Sequence, residues 1–219
     1  MKILFISLGC DKNLADSEEM LGLLTGNGHE IVDSEEEADA IVINTCCFIH
    51  DAKEESVNTI LEMAEYKKTG TCKILIVTGC MAQRYKEEIT EEIPEVDAVL
   101  GTTSYGDIVK ALNEAEAGHV FQEFKDINAL PEDSGRRVIT TGGHFGYLKI
   151  AEGCDKHCTY CIIPSLRGKF RSVPEDRLLK QAEYMASQGV RELILVAQET
   201  TVYGTDLYGK KTLHILLKK

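Results

Sequence analysis

Three stretches of the chain share one pattern of apolar and polar positions. Lys2-Ile-Leu-Phe-Ile-Ser-Leu-Gly-Cys10, Ala40-Ile-Val-Ile-Asn-Thr-Cys46 and Lys73-Ile-Leu-Ile-Val-Thr-Gly-Cys80 each run through apolar, often β-branched residues into small or polar ones and stop at a cysteine. Continuous apolar runs of this length suit strands buried on both faces, as in a parallel sheet. Helical spacing fills the gaps between them. A first helix is expected from about Asp16 or Ser17, on Met20, Leu21, Leu23 and Leu24, with Gly26 or Gly28 as its stop. A second is expected over 52–68, on Val57, Ile60, Leu61 and Ala64, and a third over 82–93, halted by Pro94. A fourth strand at 96–100 and a helix over 104–117 complete an open, doubly wound parallel α/β sheet domain spanning residues 1–117.

The pattern then loosens. Residues 118–143, with Pro131, Glu132, Asp133, Ser134, Gly135 and the pair Gly142-Gly143, read as a linker holding one short strand. The adjacent Arg136 and Arg137 read as a solvated face without a function. From 144 the alternation returns: a strand over 147–151, a helix over 174–188 begun by a proline and stopped by Gly189, a strand over 192–197 and a helix over 212–217. This is the start of a (β/α) barrel, whose site lies at the carboxyl ends of its strands.

Charge and cysteine usage narrow the classes of function. Against 24 Lys and Arg stand 36 Asp and Glu, a formal net charge of −12. Such an excess of carboxylates repels polyanions, so nucleic acid is a disfavoured partner. No apolar run reaches bilayer length and the N-terminal segment lacks a cleavage site, so no membrane contact and a cytoplasmic location are expected. Eight cysteines in such a chain are better read as metal ligands or reactive thiols than as a disulfide framework.

Six of the eight fall into two trios. Cys154, Cys158 and Cys161 lie within one short loop after a barrel strand, a spacing that presents three thiolates to one metal centre. Bound to a four-iron cluster, three cysteines leave one iron free for a ligand that is not protein. Zinc held with His157 is the rival, disfavoured because His157 adjoins Cys158, and a dithiol of Cys158 and Cys161 would leave Cys154 unexplained. Cys10, Cys46 and Cys80 each follow a strand of one parallel sheet, the edge where ligands gather. The bland alternative is three small buried core residues. Cys47 and Cys72 fit neither trio: Cys47 is a bystander or an alternate ligand, and Cys72 is structural.

The segment Cys154-x-x-x-Cys158-x-Tyr160-Cys161 resembles the signature of the radical S-adenosylmethionine enzymes, and the first half resembles the N-terminal domain of the methylthiotransferases among them. The resemblance implies two [4Fe-4S] clusters and S-adenosyl-L-methionine, with Cys154, Cys158 and Cys161 on the radical-generating cluster and Cys10, Cys46 and Cys80 on the auxiliary one. It also implies that Tyr160 lies on the adenine side of the cofactor and that Gln198 or Glu199 contacts its methionine part. Ser7 to Asn13, Cys161 to Ser172 and Ala197 to Gly204 look like the branch that methylthiolates the β-carbon of an aspartate in the twelfth small-subunit ribosomal protein. In that branch a flavodoxin or ferredoxin is the implied electron donor. The alternatives are the branch acting on a tRNA adenosine and a non-catalytic iron-sulfur or zinc binding module. Set against the family, the chain is expected to be a fragment that stops inside the barrel.

Overall fold

The computed structural model describes residues 1–132 and 135–219, so Asp133 and Ser134 of the expected linker lie outside the described residues. A six-stranded, wholly parallel sheet occupies the first half. Its strands are β1 (Lys2–Ser7), β2 (Glu30–Val32), β3 (Ala40–Thr45), β4 (Ile74–Gly79), β5 (Ala98–Leu100) and β6 (Phe121–Glu123), in the order β2-β1-β3-β4-β5-β6. The helices α1 (Asp11–Gly26), α2 (His50–Thr69), α3 (Cys80–Arg84), α4 (Lys86–Glu92) and α5 (Ile108–Glu116) cover both faces. β3 and β4 are buried along their whole length, as their unbroken apolar runs require.

The edge strand β2 was not separated out from sequence, because three residues are too few to show a period, whereas β6 falls inside the stretch where one short strand was expected. β2 extends one edge, and β6 carries the sheet past residue 117, pairing Ala98 with Phe121. α1 begins at Asp11, well before the expected Asp16 or Ser17, because the helix starts directly on the turn that holds Cys10. The expected third helix breaks at Tyr85 into α3 and α4.

The second half holds β7 (Phe145–Lys149), β8 (Ala151–Glu152), α6 (Ile163–Arg167), β9 (Arg171–Ser172), α7 (Glu175–Ser187), β10 (Glu192–Val196), α8 (Thr205–Tyr208) and α9 (Leu213–Leu216). β7 pairs in parallel with β10 through the α7 crossover, one βαβ unit of a barrel, and β8 pairs antiparallel with β9. A core of Leu148, Ile150, Val173, Leu178, Met185 and Tyr203 sits under this unit.

The halves are joined by shared burial. Leu166, on α6, is fully buried in the core of the first domain beside Cys47, Cys80 and Met81, and the Thr102 hydroxyl donates to its carbonyl at 2.8 Å. Arg137, expected on a solvated face, is only 7% exposed. Its guanidinium donates to Glu18 at 2.8 and 2.5 Å and to the Tyr147 carbonyl at 2.7 Å. The expectation failed because α1 is covered on both sides, by its own sheet and by the second half, so polar residues of its outer face needed buried partners.

Candidate functional site

The register of the sheet explains how three distant cysteines meet. Thr45 of β3 pairs with Gly79 of β4, so the next residues, Cys46 and Cys80, leave adjacent strands at one level. On the other side Ser7 pairs with Asn44, and the Leu8 amide donates to the Asn44 carbonyl at 2.9 Å, which brings Cys10 to the same edge. Two glycines make the turns. Gly9 and Gly79 both have φ of +93°, a region costly for residues with a Cβ. A Cβ on Gly9 would stand 2.6 Å from Cys46 Cβ, and one on Gly79 would stand 2.3 Å from Asn44 Oδ1 and 2.5 Å from the Thr45 carbonyl.

Hydrogen bonds lock these turns. Ser56 Oγ accepts from the Cys46 amide at 3.0 Å and donates to the Cys46 carbonyl at 2.8 Å. Asn13, fully buried, donates to the carbonyls of Leu8 and Thr45, both at 2.9 Å. Cys10 is exposed, whereas Cys46 and Cys80 are buried. Burial pushes the Cys80 thiol above its ordinary value, and the nearby Arg167 charge pulls the other way. Cys47, 3% exposed, points into the core, where burial drives its thiol up to about 12. Cys72 is also buried, donating to the Ile74 carbonyl at 3.3 Å.

The second trio rides on a loop between β8 and α6. The loop is pinned where the Cys154 amide donates to the Gly168 carbonyl at 3.1 Å and where the Phe170 amide donates to Asp155 at 3.1 Å. Between these ties it stands open: His157 takes a left-handed φ of +48°, Cys158 is exposed, and Tyr160 is 90% exposed.

Both trios line one cavity of about 1140 Å³, together with Tyr160, Arg167 and Gln198. The Gln198 amide is buried with neither its nitrogen nor its oxygen partnered among the described residues, so it has hydrogen-bonding capacity to offer a ligand. Glu199 faces elsewhere. Its carboxylate pairs with Lys156 and accepts from Thr201, and these contacts hold it down at about 2. It lines a smaller cleft with Cys154, Asp155 and Phe170.

Among the described residues no three His, Cys, Asp or Glu side chains close on a single metal ion. Thiolate donors facing an orphaned amide across a common cavity suit an iron-sulfur cluster next to a polar organic cofactor.

Sequence reasoning passed over the charged cluster behind the cavity. Asp16 of α1 accepts from Lys149 and, at 2.7 Å, from Arg167, and Glu152 pairs with Lys149 at 2.8 Å and Arg167 at 3.3 Å. All four side chains are buried. Burial opposes the charge on Glu152, yet Lys149 and Arg167 hold its carboxyl well below the usual range. The available signal was position: Asn13 and Asp16 closely follow Cys10, and Arg167 closely follows Cys161.

Comparison with known proteins agrees with this architecture. Residues 2–101 match the uncharacterized protein family UPF0004, and residues 148–218 match the radical SAM superfamily. The chain is 65% identical over 219 residues to the ribosomal protein uS12 methylthiotransferase RimO of Lachnoclostridium phytofermentans, covering all of this chain and 50% of that protein. It is 51% identical over 219 residues to the protein of the same name from Clostridioides difficile, covering 49% of it. The RimO of Acetivibrio thermocellus is 50% identical over 225 residues, again with 49% of it covered. The chain thus spans about half the length of the curated relatives it matches. The chain is thus similar over residues 2–101 to the UPF0004 family, over 148–218 to the radical SAM superfamily, and along its whole length to proteins named ribosomal protein uS12 methylthiotransferase RimO.

Proposed function

We propose that the chain supplies the cluster-binding half of a radical enzyme that transfers a methylthio group to an aspartate of ribosomal protein uS12. The observation that carries this reading is that all six trio cysteines line one cavity. Cys154, Cys158 and Cys161 would hold one [4Fe-4S] cluster, and Cys10, Cys46 and Cys80 a second. When bound, the clusters and S-adenosylmethionine supply the one-electron chemistry, the methyl group and the sulfur.

The protein's own residues bind and position. Gln198, whose amide is unpartnered, would bind the amino acid part of S-adenosylmethionine, and the exposed Tyr160 ring would serve its adenine side. Glu199 acts one step away, tying Lys156 to the strand end that carries Gln198. The core around Leu166 keeps the two trios in a fixed relation and bounds the cavity on its inner side. The auxiliary-cluster domain runs through the sixth strand of the sheet, β6 (Phe121–Glu123), and residues 144–219 form the opening of the radical domain. A flavodoxin or ferredoxin delivers the electron in the cytoplasm. Among the described residues no helix is long and apolar enough to cross a membrane.

Anaerobic loading of the intact protein with iron and sulfide tests the cofactor reading, with about eight irons per chain expected for two cubanes. Zinc uptake without sulfide would sink it. Mass spectrometry of uS12 and of tRNA nucleosides from one deletion strain tests the substrate. Loss of the methylthio increment from uS12 alone is expected, and its loss from tRNA alone would assign the chain to the other branch.

A further inference from the structure

Arg167 sits at the seam between the two cysteine trios, and the chemistry proposed above leaves it without a role. It ends α6, the helix that follows Cys161, and is almost fully buried. Its guanidinium donates to Asn13 Oδ1 at 2.5 Å, Asp16 Oδ2 at 2.7 Å and Glu152 Oε1 at 3.3 Å, and the same Asn13 Oδ1 accepts from the Cys80 thiol at 3.9 Å. Asn13 carries the contact onward to the carbonyls of Leu8 and Thr45, just ahead of Cys10 and Cys46. One guanidinium and one carboxamide therefore reach the turns of all three strand-end cysteines.

The charges around it are balanced without the cysteines. Lys149 and Arg167 face Asp16 and Glu152, two cations against two carboxylates. Cys80 and Arg167 line the same cavity, so negative charge added at Cys80 lies within the field of the guanidinium. A fixed cation near a ligand sulfur favours the reduced, more negative form of a thiolate-bound redox centre, and burial strengthens the effect.

We propose that Arg167 is a positioning residue for the strand-end trio: through Asn13 it docks the loop of the other trio onto Cys80 and onto the turns of Cys10 and Cys46. It also holds a permanent positive charge against the group those cysteines bind, raising its reduction potential. This rests on the cluster reading above.

The test uses the intact protein with Cys154, Cys158 and Cys161 replaced by Ala, so that the strand-end trio is the one cluster site left. After anaerobic loading, iron is counted and the midpoint potential is read by a redox titration followed by electron paramagnetic resonance. Arg167→Gln is expected to weaken reduction about tenfold, a fall of about 59 mV for one electron. Arg167→Lys keeps the charge and should recover most of that fall. A parent that takes up no iron overturns the cluster reading and the proposal with it. A loaded parent and a loaded Arg167→Gln variant with equal potentials overturn the role of Arg167 alone. A Lys variant shifted as far as the Gln variant overturns the fixed-charge argument. Should Arg167→Gln fail to load, the pair Arg167→Gln with Asp16→Asn, which removes one charge of each sign, decides: a lowered potential supports the proposal and a parent-like one overturns it.

Discussion

The strand-end cysteines and the loop cysteines face the same cavity but are held there by different means. Cys10, Cys46 and Cys80 lie far apart in sequence and meet because strands β1, β3 and β4 are in register and because Gly9 and Gly79 turn sharply. Cys154, Cys158 and Cys161 lie within a single loop, tied down at its ends and open between them. Damage to packing should therefore be felt strongly at the first site and weakly at the second. A rigid site with two of its three cysteines buried suits a group that keeps its place, while an open loop leaves room for a cofactor that comes and goes.

The largest break in this comparison should come from Asp16→Ala, which strips the shared partner from Lys149 and Arg167. Leaving buried cations uncompensated costs about 3–5 kcal/mol, and chemical denaturation of the metal-free protein should show it. A loss under about 1 kcal/mol would mean that water reaches the cluster and the halves are not locked together.

Gly79→Ala should follow, at about 2–4 kcal/mol, combining the left-handed φ with the overlap on Asn44 and Thr45. Iron held by the strand-end trio should fall while the loop trio still loads, and equal loss from both sites would contradict the separation drawn here.

Smaller and dependent on pH is Glu19→Gln. Glu19 is buried beside Tyr105, whose hydroxyl donates to it at 3.1 Å, and its pKa is raised, first by burial and then by Asp16, with Lys149, Arg177 and Arg137 opposing. A carboxyl with a raised folded pKa contributes stability that is full below its unfolded value, near 4.5, and is lost as pH rises through the folded value. The Gln variant should therefore melt higher than the parent at neutral pH, and the advantage should vanish in acid. A gap that stayed constant with pH would show that ionisation of Glu19 is not the cause.

Least of all should Cys158→Ala disturb the metal-free fold. The side chain is exposed, so a change within about 0.5 kcal/mol is expected, while cleavage of S-adenosylmethionine by the intact protein is abolished. A large fall in melting temperature would show that the loop is part of the core after all.

The gathering of the loop trio was legible in sequence because its cysteines are neighbours, and spacing along the chain nearly equals spacing in space. The parallel strands β1, β3 and β4 were legible too, since strands buried on both faces leave an unbroken apolar run. The strand-end trio was readable as a repeat, Cys after each strand, but its convergence depended on register, a relation between segments that no one segment contains.

Other features were decided by the tertiary structure alone. Arg137 and Asp16 look like surface residues in any local window, and they are buried because a second domain covers the outer face of α1. Gln198 and Glu199 are adjacent and chemically similar, yet one turns an unpaired amide into the cavity and the other is spent on Lys156. Sequence determined which chemistry the chain could carry, because donor atoms and turn glycines are properties of residues. Packing decided which donors face one another, because burial and partnership belong to pairs of surfaces that meet when the chain folds.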